Sequence, residues 1–109
     1  MTEWVQKDGY DTRLLASPQD LEAAGVEIQL FRFRKGKFTH YHRCKTEFFY
    51  FTSGCGWVIL DGVKQVLSAG STLLVKPNVR HTFVNDSDLE LLQGIMVKTN
   101  NDPADTVYE

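Results

Sequence analysis

The chain has 109 residues, enough for one domain, and its net charge of −2 and 42% hydrophobic content are ordinary for a globular protein. The one basic run, residues 32–37, lies in a strand-turn pattern, so we expect a solvated turn and no nucleic-acid partner. No stretch reaches the ~20 apolar residues of a membrane helix, and the N-terminus lacks a signal-peptide pattern. We therefore expect a cytoplasmic protein without a membrane partner, in which Cys44 and Cys55 are free thiols.

Turn signals divide the chain into short segments. Residues 17–25 are the one helix candidate, of a turn or two, with Ser17 as N-cap, Pro18 in the first turn and Gly25 at the end. The pair Asp61-Gly62 predicts a tight hairpin. Runs rich in apolar, β-branched and aromatic residues predict strands at residues 26–33, 47–53, 57–60, 63–68, 71–75, 80–84 and 89–98.

Seven or eight short strands with almost no helix indicate an all-β fold, either a sandwich or a barrel. Residues 1–109 are predicted to form a single domain. It comprises an N-terminal arm over about residues 1–25, a barrel over about 26–98 and a polar C-terminal tail over about 99–109. We expect the tail to be loose or to drape over the surface.

Two of the three histidines, His40 and His42, are separated by one residue and point to the same face of a strand. If the polar segment 43–46 reverses the chain, Glu47 opens the next strand and faces them across the pair. His81 follows a Pro-Asn turn and can converge on the same place. Imidazoles with a carboxylate suit a divalent transition metal. The alternative is that these are ordinary core or surface histidines.

The segment around these residues resembles the first sequence motif of the cupin family, which has a glycine, an HxH pair, a glutamate and a second glycine. The matching residues are His40, His42, Glu47 and Gly54, with Gly36 slightly closer to the first histidine than in the usual pattern.

Residues 70–85 resemble the second cupin motif. Lys76 stands where the motif has proline, which has moved to Pro77, and Asn78 stands where it has its second glycine. Asparagine tolerates the left-handed backbone that glycine often supplies, so the turn can still form. The spacer of residues 55–69 has the short length seen in small single-domain cupins. The matching residues are Gly70, His81 and Asn85.

The resemblance implies a double-stranded β-helix, or jelly-roll barrel, that holds one divalent transition metal. Iron or manganese is the first expectation, and nickel, zinc and cobalt are the alternatives. It implies a metal-dependent enzyme acting on a small molecule, first of all dioxygenase-like, in which the metal centre itself carries the chemistry. The alternatives are a metal-bound ligand-binding or sensing module without turnover, and a sugar isomerase or lyase. The implied ligands are His40, His42, Glu47 and His81.

Strand alternation predicts which other side chains line the interior, counting from Glu47 and His81. Several phenylalanines there favour a small, partly apolar or aromatic ligand, although such residues more often form core packing. The lining candidates are Phe49, Phe51, Phe83, Trp57 or Val58, and Gln93 or Met96.

Three cationic residues have two interpretations each. Arg32 and Arg34 share a strand face, either as a solvated pair or as partners of a substrate carboxylate. Lys45 flanks the glutamate and is equally open.

The run EFFYF, residues 47–51, is apolar on both faces, whereas a strand covered on one side only should alternate. Phe48 and Tyr50 are therefore expected to pack against the N-terminal segment or a second subunit. We predict a homodimer.

Overall fold

The computed structural model describes residues 3–102 and 105–108. Within this part the chain is nearly all β, as predicted, and no helix is long and apolar enough to cross a membrane. The elements are β1 (Trp4–Gln6), β2 (Tyr10–Ala16), α1 (Pro18–Leu21), β3 (Glu27–Phe33), β4 (Gly36–His42), β5 (Thr46–Ser53), β6 (Gly56–Leu60), β7 (Val63–Leu67), β8 (Thr72–Val75), β9 (His81–Asn85), β10 (Leu92–Thr99) and β11 (Thr106–Tyr108).

The strands form two antiparallel sheets that enclose one core. The first has the order β1-β2-β3-β10-β5-β8 and the second the order β11-β4-β9-β6-β7. Strands that follow each other along the chain often lie in different sheets, as β3 and β4 do, and so do β4 and β5. This arrangement confirms the predicted double-stranded β-helix.

Alternate side chains of both sheets fill the space between them. Phe49, Phe51 and Phe83 are at most 2% exposed, as their strand positions predict. The Phe83 ring centroid lies 4.5 Å from that of Phe33 and 5.3 Å from that of Phe49, so residues of the two sheets are in direct contact. Met96 joins the same cluster. These side chains pack against one another as a core.

Three strands lie outside those predicted from the sequence, namely β1, β2 and β11. The first two extend the six-stranded sheet beyond β3. Strand β11 pairs with β4, with Thr106 opposite His42 and Tyr108 opposite His40. The C-terminal residues were expected to be loose or draped, and this was wrong for β11. A three-residue strand is too short for a periodic hydrophobic signal.

The turn chemistry follows the sequence closely. Ser17 caps a single helical turn through a reciprocal capping box with Asp20, although the helix ends well before Gly25. Asp61 and Gly62 have φ values of 49° and 83° in the hairpin between β6 and β7, which fits the predicted Asp-Gly turn. Asn78 has a φ of 66°, so it adopts the left-handed backbone expected of it.

Candidate metal centre

The three histidines meet on the inner face of the five-stranded sheet. His40 and His42 lie on β4 and point inward because they are two residues apart. His81 opens β9 directly opposite His40. All three are at most 4% exposed, and the centroids of the His40 and His81 rings are 4.4 Å apart.

Glu47 reaches the histidines from the other sheet. The sequence predicted that its strand would pair with that of the histidines, but β4 and β5 belong to different sheets. Residues 43–45 carry the chain across the barrel, so Glu47 faces the histidines through the interior. One ligand-type atom from each of His40, His42, Glu47 and His81 lies within 4.8 Å of the others. Opposite ligands of one ion with bonds of ~2.1 Å lie ~4.2 Å apart, so this spacing is close to that of a metal site.

The cluster leaves buried polar atoms unsatisfied. His42 Nε2 lies 2.7 Å from Glu47 Oε1, yet neither atom has a hydrogen-bond partner at an acceptable angle. His81 Nε2 and His40 Nδ1 are also buried without partners. Unpaired buried polar atoms are costly, and each needs an explanation. A cation among them would satisfy several at once.

The protonation states suit a cation. Burial lowers the pKa of His40 to about 2 and also lowers that of His81, so both rings are neutral. Burial alone would raise the pKa of Glu47, but the His42 contact and the Lys98 charge outweigh it and hold the pKa at about 2. Neutral imidazole and ionised carboxylate are the forms that ligate metals.

His81 and His42 are each oriented by a hydrogen bond at Nδ1. His81 Nδ1 lies 3.0 Å from the Val79 carbonyl oxygen, so it carries the proton and leaves Nε2 with a lone pair facing the cluster. His42 Nδ1 lies 2.9 Å from the Thr106 hydroxyl. Such outer partners fix ring orientation in metal sites. The cluster therefore fits a divalent ion.

Asp105 holds the crossing between His42 and Glu47. Its carboxylate accepts hydrogen bonds from the backbone N–H groups of Arg43, Cys44 and Lys45, at 2.8 to 3.1 Å. Burial alone would raise the pKa of Asp105, but these backbone donors outweigh burial and hold the pKa below its usual value. The turn that sets the distance between the two cluster residues is thus tied to the C-terminal segment.

We expect Asp105→Asn to lower the free energy of unfolding by about 1–3 kcal/mol, because one of the two accepting oxygens is replaced by a donor. It should also weaken divalent-metal binding by about 10-fold, as loss of a supporting residue commonly does. Urea unfolding and metal titration measure the two effects. Asp86→Asn, an exposed change, is the control. Unchanged stability in Asp105→Asn would contradict the proposed role of this carboxylate.

A cavity of about 190 Å³ opens beside the cluster. Four of its lining residues contact cluster members, one of them Thr106, whose hydroxyl lies 2.9 Å from His42 Nδ1. The Tyr10 and Tyr108 rings lie 5.8 and 5.4 Å from the His40 ring, and Lys98 Nζ lies 3.9 Å from Glu47 Oε2. The lining is mostly polar and consists of Lys7, Tyr10, Thr12, Glu27, Gln29, Lys45, Lys98, Asn101, Thr106 and Tyr108.

The residues that line this cavity differ from the predicted pocket lining. Phe49, Phe51, Phe83 and Met96 are inward but belong to the packed core, and none lines the cavity. The predicted apolar ligand surface is therefore wrong.

Two other candidates for the lining lie elsewhere. Val58, not Trp57, points inward, and the Trp57 ring lies under the Lys64 ammonium at 4.3 Å. Gln93 donates to Ser53 Oγ at 2.8 Å beside a separate groove. In both cases an adjacent residue on the same strand is the buried one, namely Val58 beside Trp57 and Leu92 beside Gln93.

Of the three cationic candidates, the two arginines lie away from the cavity and the lysine lines it. Arg32 and Arg34 both pair with Asp11, and the Arg32 guanidinium lies 3.9 Å from the Trp4 ring centroid. They are therefore engaged outside the cavity. Lys45 lines the cavity, whereas Cys44 is an exposed free thiol.

Sequence reasoning missed several residues around the cluster. The position of Lys98 two residues after Met96 on β10 could have placed it on the inner face. Tyr10 could have been found by the same parity, had β2 been predicted as a strand. Thr106 and Asp105 lie in a short polar segment that carries no comparable signal.

Comparisons with known proteins agree with this architecture. The cupin domain family matches residues 30–97. Protein SchB of Streptomyces halstedii is 36% identical over 87 residues, which are 78% of this chain and 63% of SchB. The chain thus spans less than two thirds of the length of that relative.

Solved structures share the fold at low sequence identity. Ectoine synthase from P. lautus has a TM-score of 0.78 at 15% identity, covering 97% of this chain and 80% of that chain. The nucleoside dehydratase Pac13 from Streptomyces has a TM-score of 0.76 at 17% identity, covering 99% of this chain and 84% of that chain. The family match spans more than half of the chain, and both cupin motifs lie where the cluster is formed. The chain therefore belongs to the cupin family.

Proposed function

We propose that the protein is a metal-dependent enzyme acting on a small polar molecule, with His40, His42, Glu47 and His81 as the metal ligands. The observation that supports this proposal is a buried His/Glu cluster beside a polar cavity, four of whose lining residues contact cluster members. A divalent ion held there would supply Lewis-acid polarisation of a substrate oxygen.

Among reaction classes, we favour a lyase that removes water over the dioxygenase first expected. The sequence predicted a partly apolar or aromatic ligand, whereas the cavity lining is mostly polar and includes hydroxyl and ammonium groups. The Tyr10 and Tyr108 hydroxyls share a hydrogen bond of 3.0 Å at the cavity. Burial raises the pKa of Tyr10, so its phenol keeps its proton. As the substrate C–O bond breaks, one tyrosine hydroxyl of this pair can give its proton to the departing hydroxyl, which leaves as water. The phenolate so formed takes up the proton lost from the adjacent carbon, and the electrons of that C–H bond form the new double bond.

A dioxygenase is the second candidate, because three histidines and one glutamate leave two positions open on a six-coordinate ion. That donor set suits iron as well as zinc, nickel or manganese.

The two candidates differ in their need for oxygen. We would load the protein separately with zinc, nickel, manganese and iron and incubate it with hydroxy acids, sugar acids and nucleosides. Proton NMR detects loss of water, and an oxygen electrode detects oxygen uptake. Anaerobic dehydration by the zinc, nickel or manganese form, diminished in Tyr108→Phe but not in Tyr41→Phe, would support the lyase. Turnover only with iron and oxygen would support the dioxygenase. Saturable binding without product would instead indicate a binding module.

We also propose that the protein is a homodimer through the outer face of the six-stranded sheet. Phe48 and Tyr50 are 42% and 44% exposed there. They lie beside Leu74 and Ile95, two further exposed apolar residues on adjoining strands. The N-terminal strands lie at the far edge of the same sheet, where β1 pairs with β2 and β2 with β3, and neither pairs with β5. A second copy is therefore the better candidate to cover this face.

The dimer proposal predicts that Tyr50→Glu yields monomers, because a charge would be buried in an apolar interface. Light scattering coupled to size-exclusion chromatography measures the mass. Val66→Glu, at a 73% exposed apolar position on β7 in the other sheet, is the matched control. A wild-type monomer at micromolar concentration, or a dimer that persists in Tyr50→Glu, would contradict the proposal.

A further inference from the structure

The cavity beside the cluster carries an excess of positive charge. Three lysines line it, Lys7, Lys45 and Lys98, against one carboxylate, Glu27. Glu27 is already engaged, since Gln29 Nε2 donates to its Oε2 at 3.3 Å and Asn101 donates to its Oε1.

Glu47 would not neutralise this charge once a divalent ion is bound. Its Oε2 lies 3.9 Å from Lys98 Nζ, the outer limit of an ion pair, and its other oxygen, Oε1, faces His42 and His81. A divalent ion with three neutral imidazoles and one carboxylate keeps a charge of +1. The ion and the lysines would together leave the cavity cationic.

Two of the lysines are also well removed from solvent. Lys45 is 3% exposed, and the Lys98 side chain is 12% exposed. Burying an ammonium group is costly unless an anion pairs with it. Among the described residues, Lys98 makes one ion-pair contact, to Glu47, and Lys45 makes none. The arrangement would be stabilised by an anion that enters from outside.

We propose that the cavity binds a small organic anion, whose carboxylate or phosphate group is held by Lys45 and Lys98 while the rest of the molecule faces the His/Glu cluster. This inference rests on the proposed function and specifies its substrate class. The volume of about 190 Å³ is below the ~300–1,000 Å³ of pockets for drug-sized ligands, so the anion is small. Lys7, which is exposed, lies at the rim and adds attraction for the incoming charge.

The test is calorimetric titration of the metal-free and zinc-loaded protein at low ionic strength. The probes are succinate, inorganic phosphate and, as a neutral analogue, succinamide. We expect at least one anion to bind and succinamide not to bind. Lys45→Met and Lys98→Met should each weaken binding by about 10- to 100-fold, as expected for a lost charged hydrogen bond. Lys37→Met, an exposed lysine on β4, is the matched control and should leave binding unchanged. Binding of phosphate alone would identify a phosphate ester, and binding of succinate alone a carboxylate.

Equal binding of succinamide and succinate, undiminished anion binding in both lysine variants, or binding of neither anion would overturn the inference. If a lysine variant fails to fold, the wild type still tests the inference. Its affinity for the anion must fall as the sodium chloride concentration is raised, because salt screens the attraction to the lysines. Zinc content distinguishes the two proposals. Zinc uptake without anion binding would refute this inference alone, and anion binding without zinc uptake would refute the metal-dependent function alone.

Discussion

Replacing Glu47 with glutamine is expected to weaken divalent-metal binding by more than about 100-fold, which exceeds the 10- to 100-fold typical of residues that only support a ligand. Glu47 is the one anionic member of the cluster, and its Oε1 lies 2.7 Å from His42 Nε2 and 3.8 Å from His81 Nε2. The amide has nearly the same shape but carries no charge, so the variant removes the electrostatic attraction with little change in packing. Zinc titration against a competing chelator measures the affinity.

Glu27→Gln is the matched control for this experiment. Glu27 lines the same cavity, yet it lies outside the cluster. We expect its replacement to leave metal affinity within about 10-fold of the wild type, below the loss expected for a direct ligand. Near-ultraviolet circular dichroism checks that both variants are folded. Equal metal affinity in folded Glu47→Gln and wild type would show that Glu47 is not a ligand.

Replacing Gly94 with alanine is expected to destabilise the fold by about 3 kcal/mol or more, at the upper end for an overpacked site. Gly94 lies on β10, between β3 and β5, where the register with β5 shifts. An added Cβ would overlap the Tyr50 carbonyl oxygen and would lie 2.9 Å from both Phe31 Cζ and Phe51 Cα. Backbone atoms of a central strand cannot move aside without breaking the ladder. Urea unfolding of the metal-free protein measures the effect.

Gly62→Asn serves as the control for the glycine prediction. A Cβ at Gly62 meets no atom within 4 Å, and asparagine tolerates its φ of 83°. We expect a loss below about 1 kcal/mol, since asparagine is favoured in such hairpin turns. If Gly94→Ala were no less stable than Gly62→Asn, the close approach of β10 to β5 would be incorrect.

Strand parity predicted much of the interior. The HxH spacing placed His40 and His42 on one face, and counting from Glu47 placed Phe49 and Phe51 inward. Parity gives the face of a residue but not its height in the barrel. Parity therefore leaves two interpretations open for the phenylalanines, a ligand surface and core packing, and the structure shows core packing.

Contacts between segments distant in sequence could not be predicted in the same way. The pairing of Lys98 with Glu47 depends on the register between β10 and β5, which no local pattern sets. Asp105 and Thr106 act through hydrogen bonds from a polar segment near the C-terminus, where hydrophobic periodicity gives no information. Glu47 is close to His42 in sequence, but its position in the opposite sheet was missed because a polar turn at residues 43–45 does not show whether the chain stays in one sheet. The cytoplasmic location stays a prediction.

The central claim is that His40, His42, Glu47 and His81 together bind one divalent ion. Elemental mass spectrometry of the purified protein, before and after reconstitution with iron, manganese, nickel, cobalt or zinc, tests it most directly. We predict about one equivalent of metal per chain in the wild type, with three neutral imidazoles and one carboxylate as its ligands. Less than a tenth of an equivalent with every ion, in a protein shown to be folded, would contradict the account.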